Sequence, residues 1–94
     1  LVPMLSFKSF DEVIDRANNN DLGLCSYICT SSMDKAHRAS ELMETGTVAV
    51  NTPVVAIAEA PFGGIKQTGY GREGGSMAIK DYLNIKYTHL GIKG

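Results

Sequence analysis

Two cysteines and two histidines are the residues whose side chains could supply a nucleophile, a base or a metal ligand. Cys25 and Cys29 lie four residues apart, which fits neither a disulfide framework nor the usual spacing of a zinc site. A nucleophilic Cys29 activated by His37 would need a thiolate, and burial in a predicted strand disfavours that ion. His37 and His89 show no metal-like pattern. We therefore predict structural thiols and histidines, and no metal site.

A glycine-bearing run at 69–74, Gly-Tyr-Gly-Arg-Glu-Gly, matches the letters of a dinucleotide-binding loop. Such a loop must follow a buried strand and open a helix, because backbone N–H groups and the helix N-terminus hold the pyrophosphate. Residues 63–68 are not predicted as a strand, and no βαβ unit follows. We interpret the run as a turn-rich loop without cofactor-binding residues. An autonomous nucleotide-binding domain is the weaker alternative.

Composition narrows the classes of partner. The 94 residues carry a formal net charge of −1 with both signs interspersed, which argues against nucleic acid or an anionic membrane as partner. No apolar stretch approaches the roughly 20 residues of a membrane helix, and the start lacks a secretory-signal pattern. We expect a cytoplasmic protein. The opening residues 1–4 include no initiator Met at position 1, which suggests a piece of a longer chain.

Helix and strand patterns alternate along the first half. Ser9 and Glu12 have capping-box spacing, and apolar residues follow at helical spacing. Ser31 with Asp34 predicts a second helix start, and Gly46 a left-handed cap at its end. The predicted elements are a short strand at 1–7, a helix from 9 to about 18, a buried strand at 24–30, a helix at 31–46 and a strand at 47–51.

This order predicts an α/β fold, β-α-β-α-β with right-handed crossovers and a mainly parallel sheet. A long glycine-bearing loop at 53–75 follows, and its apolar residues predict that something covers it. A short helix around 77–83 and a terminal strand from Ile85 to Ile92 complete the prediction.

The most specific pattern joins residues 48–51, Val-Ala-Val-Asn, through a variable loop to residues 61–73, Pro-Phe-Gly-Gly-Ile-Lys-Gln-Thr-Gly-Tyr-Gly-Arg-Glu. It resembles the C-terminal signature of the aldehyde dehydrogenase superfamily. Residues 74–76 and 81–87 are most similar to the succinate-semialdehyde dehydrogenases and their relatives that act on other ω-semialdehyde acids.

The resemblance implies an NAD(P)-dependent parent enzyme that oxidises a semialdehyde to the carboxylic acid. In such enzymes a Cys thiolate attacks the carbonyl, hydride passes to NAD or NADP, and water hydrolyses the thioester. The family's nucleophilic Cys, general-base Glu and nucleotide-binding domain precede the matched region. The resemblance therefore places no catalytic or cofactor-binding residue here. It makes residues 1–84 the C-terminal part of the catalytic domain and predicts that the isolated chain is inactive.

The same resemblance supplies four substrate-binding candidates and an interface. Phe62 matches an aromatic that lines the substrate tunnel, where an apolar wall excludes water. Val55, Ala56 and Ile57 lie in the variable loop that shapes the tunnel mouth. Residues 85–94 match a segment that pairs with a neighbouring subunit, which predicts a homo-oligomer through Ile85 to Ile92.

Two alternatives stay open from the sequence. The chain could be a non-catalytic interaction or assembly module that keeps this fold. Phe62 could be a core aromatic instead of a tunnel residue.

Overall fold

The computed structural model describes residues 1–93 and contains two α-helices, two small sheets and one 3₁₀ helix. The elements are α1 Phe10–Asn18, β1 Leu22–Gly23, β2 Cys25–Ile28, α2 Met33–Leu42, β3 Thr47–Val50, β4 Ile65–Lys66 and the 3₁₀ helix Ala78–Tyr82. No helix in this part of the chain is long and apolar enough to span a bilayer. The prediction for 85–94 includes residue 94, which lies outside the described residues.

Helix α1 begins at its predicted cap. The Ser9 hydroxyl accepts the N–H of Glu12 at 3.2 Å, which satisfies one of the backbone donors left free at a helix start. The Glu12 carboxylate accepts the N–H of Lys8 at 2.9 Å, so the reciprocal bond reaches one residue further back than in a standard capping box. That bond from Lys8 is the main reason why the pKa of Glu12 lies below its usual 4.5.

Helix α2 corrects two predicted boundaries. Ser32, not Ser31, is the N-cap, and its hydroxyl accepts the N–H of Lys35 at 3.3 Å. The helix ends at Leu42, well before Gly46, whose backbone is not left-handed. Gly46 instead donates its N–H to the Gly23 carbonyl at 3.0 Å. A Cβ on Gly46 would overlap the Gly63 carbonyl, so glycine serves a close backbone approach here and not a helix cap.

The two sheets differ in the relative direction of their strands. Strands β2 and β3 pair in parallel, from Cys25 opposite Thr47 to Ile28 opposite Val50, with α2 as their connection. Strands β1 and β4 pair antiparallel over two residues each. The α/β prediction is confirmed, and the parallel arrangement holds for the β2–β3 sheet. The prediction that 63–68 contains no strand is wrong, because β4 lies there.

Three predicted elements near the ends take other conformations. Residues 1–7 and 83–93 form no strand, because a strand needs a partner and no strand of the described chain pairs with them. The predicted strands at 1–7 and from Ile85 to Ile92 are therefore absent from the chain by itself. The predicted helix at 77–83 is a 3₁₀ helix over Ala78–Tyr82.

The core is small and made mostly of small side chains. Its buried members come from α1, α2, β2 and β3: Ile14, Ala36, Ala39, Ala49 and Ser26. The strand predicted as buried is open on one face, where Tyr27 is 58% exposed. The accessible surface is 8072 Å², whereas a compact monomer of 10.1 kDa exposes about 5,300 Å². Much apolar surface of this chain is therefore uncovered.

Candidate functional site

A groove of about 590 Å³ lies beside the glycine-bearing loop and contains the predicted substrate residue Phe62. Its walls come from the residue between β1 and β2, from the loop at 62–73 and from the end of the 3₁₀ helix. The lining residues are Leu24, Phe62, Gly63, Gly64, Thr68, Gly69, Tyr70, Gly71, Arg72, Glu73, Asp81 and Tyr82. The groove thus combines the half-buried Phe62 with Leu24, Tyr70 and Tyr82 and with polar main-chain and side-chain groups.

A pair of main-chain hydrogen bonds fixes the base of the loop. The Phe62 N–H donates to the Glu73 carbonyl at 2.6 Å, and the Glu73 N–H donates to the Phe62 carbonyl at 2.7 Å. These bonds form an antiparallel bridge that closes residues 63–72 into a loop. The backbone position of Phe62 therefore depends on how this loop is held.

Arg72 bonds across the loop just inside that bridge. Its Nη1 donates to the carbonyls of Gly64 at 2.9 Å and Gly71 at 2.8 Å. Its own N–H donates to the Asp81 carboxylate at 2.9 Å, which ties the loop to the 3₁₀ helix. The roles of Arg72 and Asp81 were missed from the sequence. The motif contains Arg72, but no spacing rule predicts that a guanidinium folds back onto carbonyls of its own loop.

The loop requires glycine at its turns. Gly69 has φ +117° and Gly71 has φ +88°, a region that residues with a Cβ rarely adopt. A Cβ on Gly71 would also lie 3.1 Å from the Asp81 carboxylate. These glycines let the chain turn back toward Arg72 and so shape the wall of the groove.

Lys66, in the part of the loop that forms β4, anchors the loop to α1. Its Nζ donates to the carbonyls of Asn18 at 2.8 Å and Asn20 at 3.1 Å, at the end of that helix, and pairs with the Glu44 carboxylate. A cation at a helix C-terminus also meets the negative end of the helix dipole. Lys66 has φ +57°, a conformation that is costly for a residue with a side chain and is held here by these contacts.

The structure around residues 69–74 does not fit a dinucleotide site. Strand β4 precedes the run, but it has only two residues and it pairs antiparallel with β1. No α-helix begins at Gly74; the next helix in the described residues is the 3₁₀ helix at Ala78–Tyr82. A pyrophosphate would find neither a parallel strand edge nor a helix N-terminus at this loop.

The four substrate-binding candidates do not share one surface. Phe62 lines the groove, whereas Val55, Ala56 and Ile57 do not. Val55 is half-buried, and the other two are exposed. The end of their loop is nevertheless tied to the turn after the glycine run, since the Gly75 N–H donates to the carbonyl of residue 58 at 2.8 Å.

The cysteines are free thiols, but the burial expected for Cys29 is wrong. Cys25 is half-buried, and Cys29 is exposed just beyond the end of β2. Cys29 contributes to a second cavity of about 500 Å³ between α1, β2 and α2. Within residues 1–93 no group of three or more His, Cys, Asp or Glu side chains could hold a metal ion.

The β2–α2–β3 unit and the loop that carries Phe62 form part of an α/β domain. Comparison with known proteins identifies the family of this domain. The aldehyde dehydrogenase family model matches residues 1–88, so the chain belongs to the aldehyde dehydrogenase family. The chain is 48% identical over 91 residues to 3-sulfolactaldehyde dehydrogenase of Pseudomonas putida. It is 41% identical over 92 residues to the succinate-semialdehyde dehydrogenase [NADP(+)] of Escherichia coli K12.

The fold agrees with solved structures of the same family. The NAD+ complex of an aldehyde dehydrogenase from Bacillus cereus superposes with a TM-score of 0.87 at 42% identity, covering 95% of this chain and 18% of that one. The two curated relatives are covered over 97% and 98% of this chain. This chain spans only about a fifth of their length, since 19% of each is matched.

Proposed function

We propose that this chain is the C-terminal part of an NAD(P)-dependent aldehyde dehydrogenase that oxidises succinate semialdehyde or a similar semialdehyde to the carboxylic acid. The family match supports the reaction class, and the named relatives support an aldehyde that carries an acidic group. In this proposal the nucleophile and the nucleotide site belong to the rest of the enzyme. The isolated chain then binds no cofactor and is inactive.

The observation that carries the proposed role of this segment is the position of Phe62. Phe62 lines the groove beside a loop that is closed at its base and braced by Arg72. An apolar wall held in this way would keep water from a thioester while the aldehyde reacts. In the complete enzyme Val55, Ala56 and Ile57 would form the mouth of the same tunnel from the neighbouring loop.

The exposed surface supports a larger assembly. The accessible surface exceeds that of a compact monomer by about half. In the proposed enzyme, residues 1–84 pack on the remainder of the catalytic domain. Ile85 to Ile92 form a strand with another subunit of a cytoplasmic homo-oligomer. Ile85 and Ile92 are 94% and 89% exposed in the chain alone. Such exposure is expected of a segment that pairs with a strand of another subunit.

A non-catalytic assembly module is the second candidate function, and the same exposed terminal segment favours it. The two candidates differ in whether Phe62 affects turnover. An assembly module would use the terminal segment and would not need a braced phenyl ring in the groove.

Replacement of Phe62 by Ala in the longer enzyme tests the proposal. We expect kcat/KM for the aldehyde to fall by about tenfold or more, because displacing a group that shapes the reacting site can cost up to about a hundredfold. Phe10→Ala is the matched control, since Phe10 lies in α1 outside the groove. Unchanged aldehyde kinetics in a folded Phe62→Ala enzyme would make Phe62 a core aromatic and would contradict the proposed role.

A further inference from the structure

Arg72 is the one guanidinium in the groove wall, and its contacts are main-chain contacts. Its Nη1 reaches the carbonyls of Gly64 and Gly71, which lie on opposite sides of the loop. Within residues 1–93, no carboxylate forms an ion pair with this guanidinium. Asp81 bonds to the Arg72 N–H instead. The side chain therefore acts as a brace across the loop and not as one half of a salt bridge.

The brace adjoins the bridge that fixes the Phe62 backbone. Arg72 precedes Glu73, whose main chain makes both hydrogen bonds of that bridge. Gly64 follows Phe62 by two residues, so the guanidinium links the two segments of the loop that begin at the bridge. Without it, the Gly64 carbonyl loses its charged donor, and glycines at 63, 64, 69 and 71 leave little intrinsic stiffness to hold the loop closed.

We propose that Arg72 is a positioning residue for aldehyde turnover: by joining Gly64 to Gly71 it holds the Phe62 ring at the substrate groove. This inference rests on the proposed function, in which Phe62 is a tunnel wall. It also explains the choice of Arg. The two hydrogens of Nη1 point in fixed directions within the guanidinium plane, whereas a lysine ammonium on a flexible stem would fix the two carbonyls less rigidly.

A double-mutant cycle in the longer enzyme tests the inference. The variants are Arg72→Ala, Phe62→Ala and the two combined, with kcat and KM measured for the semialdehyde and KM for NAD(P)+. Arg16→Ala is the matched control, because Arg16 Nη1 also donates to a main-chain carbonyl, that of Ser6 at 2.8 Å, far from the groove. Arg72→Lys tests partial rescue.

If Arg72 acts through Phe62, each single variant lowers kcat/KM for the aldehyde by about tenfold, and the combined variant is no worse than the poorer single variant. Arg72→Lys recovers part of the loss, Arg16→Ala matches the unmodified enzyme, and KM for NAD(P)+ does not change. Losses that multiply in the combined variant, or an Arg72→Ala enzyme with unchanged aldehyde kinetics, overturn the inference.

The proposed function and this inference fail in different ways. If Phe62→Ala leaves turnover unchanged, the tunnel role of Phe62 is wrong, and the positioning role falls with it. If Phe62→Ala impairs turnover but its effect adds independently to that of Arg72→Ala, only the positioning role is wrong. Should Arg72→Ala fail to fold, the same cycle with Arg72→Lys gives the decision, since that variant keeps the charge and loses the planar guanidinium.

Discussion

Replacing Lys66 with Met should loosen the contact between the glycine-bearing loop and α1. Met keeps a long unbranched stem but removes the donor that reaches the Asn18 and Asn20 carbonyls and the cation that pairs with Glu44. Because Lys66 is itself in β4, its loss should affect the β1–β4 ladder. It should also affect the hydrogen bond from the Gly46 N–H to the Gly23 carbonyl of β1.

The stabilisation lost with Lys66 can be estimated from the exposure of its side chain and from the type of its hydrogen bonds. Each of the two hydrogen bonds from the Lys66 ammonium contributes about 1.5–3 kcal/mol, and this side chain is only 24% exposed. Glu44 is 54% exposed, so the ion pair adds little. After the rotamer entropy that a fixed lysine loses, the net contribution is about 2 kcal/mol. That value corresponds to about a thirtyfold change in a local opening equilibrium.

Hydrogen exchange in the proposed full-length enzyme measures this opening without requiring reversible global unfolding. The reporters are the Gln67 N–H, bonded to the Asp21 carbonyl at 2.9 Å, and the Gly46 N–H, bonded to the Gly23 carbonyl at 3.0 Å. Their protection should fall about thirtyfold in Lys66→Met. Lys80→Met is the control, because within the described residues its side chain makes no hydrogen bond or ion pair. A loss below about threefold, or one equal to the control, would refute the reasoning.

Two further predictions concern the packing of the loop and the start of α1. Gly46→Ala should lower the free energy of unfolding by about 1–3 kcal/mol because its Cβ would overlap the Gly63 backbone; an unchanged melting temperature would contradict the close approach. The lowered pKa of Glu12 means that its stabilisation of α1 is complete above the usual 4.5 and is lost as pH falls through the lower folded-state value. An NMR titration of Glu12 should show that pKa below 4.5, and Lys8→Pro, which removes the donor, should raise it.

Local features of the fold could be predicted from the sequence because they depend on near neighbours. The Ser9 cap and the β2–α2–β3 order follow from spacing that a helix or strand imposes on its own residues. The second cap was misplaced by one residue because Ser31 and Ser32 are adjacent and have the same capping chemistry. The order of elements is therefore more predictable than their exact ends.

The groove depends on contacts between distant parts of the chain, which spacing does not reveal. Strand β4 forms because Lys66 and its neighbours dock on β1 and α1, more than 40 residues earlier. The positive φ of Lys66 had no glycine or turn signal to predict it. Phe62 was found only through the family resemblance, and the brace formed by Arg72 only through the structure.

The terminal strand shows a different limit. The sequence predicts a strand from Ile85 to Ile92, but a strand forms only where another strand satisfies its backbone groups. The described chain offers no such partner, and the segment is unpaired. Its assignment to a subunit interface stays a prediction.

The most direct test of the central claim is the activity of the protein that carries this sequence in its source cells, captured with an antibody against residues 1–94. We predict a polypeptide of roughly 480 residues, since 91 aligned residues make up 19% of a relative, which produces NADH or NADPH only when a semialdehyde is added. A captured polypeptide of only 94 residues, or a longer one without aldehyde-dependent reduction of either nucleotide, would contradict the claim.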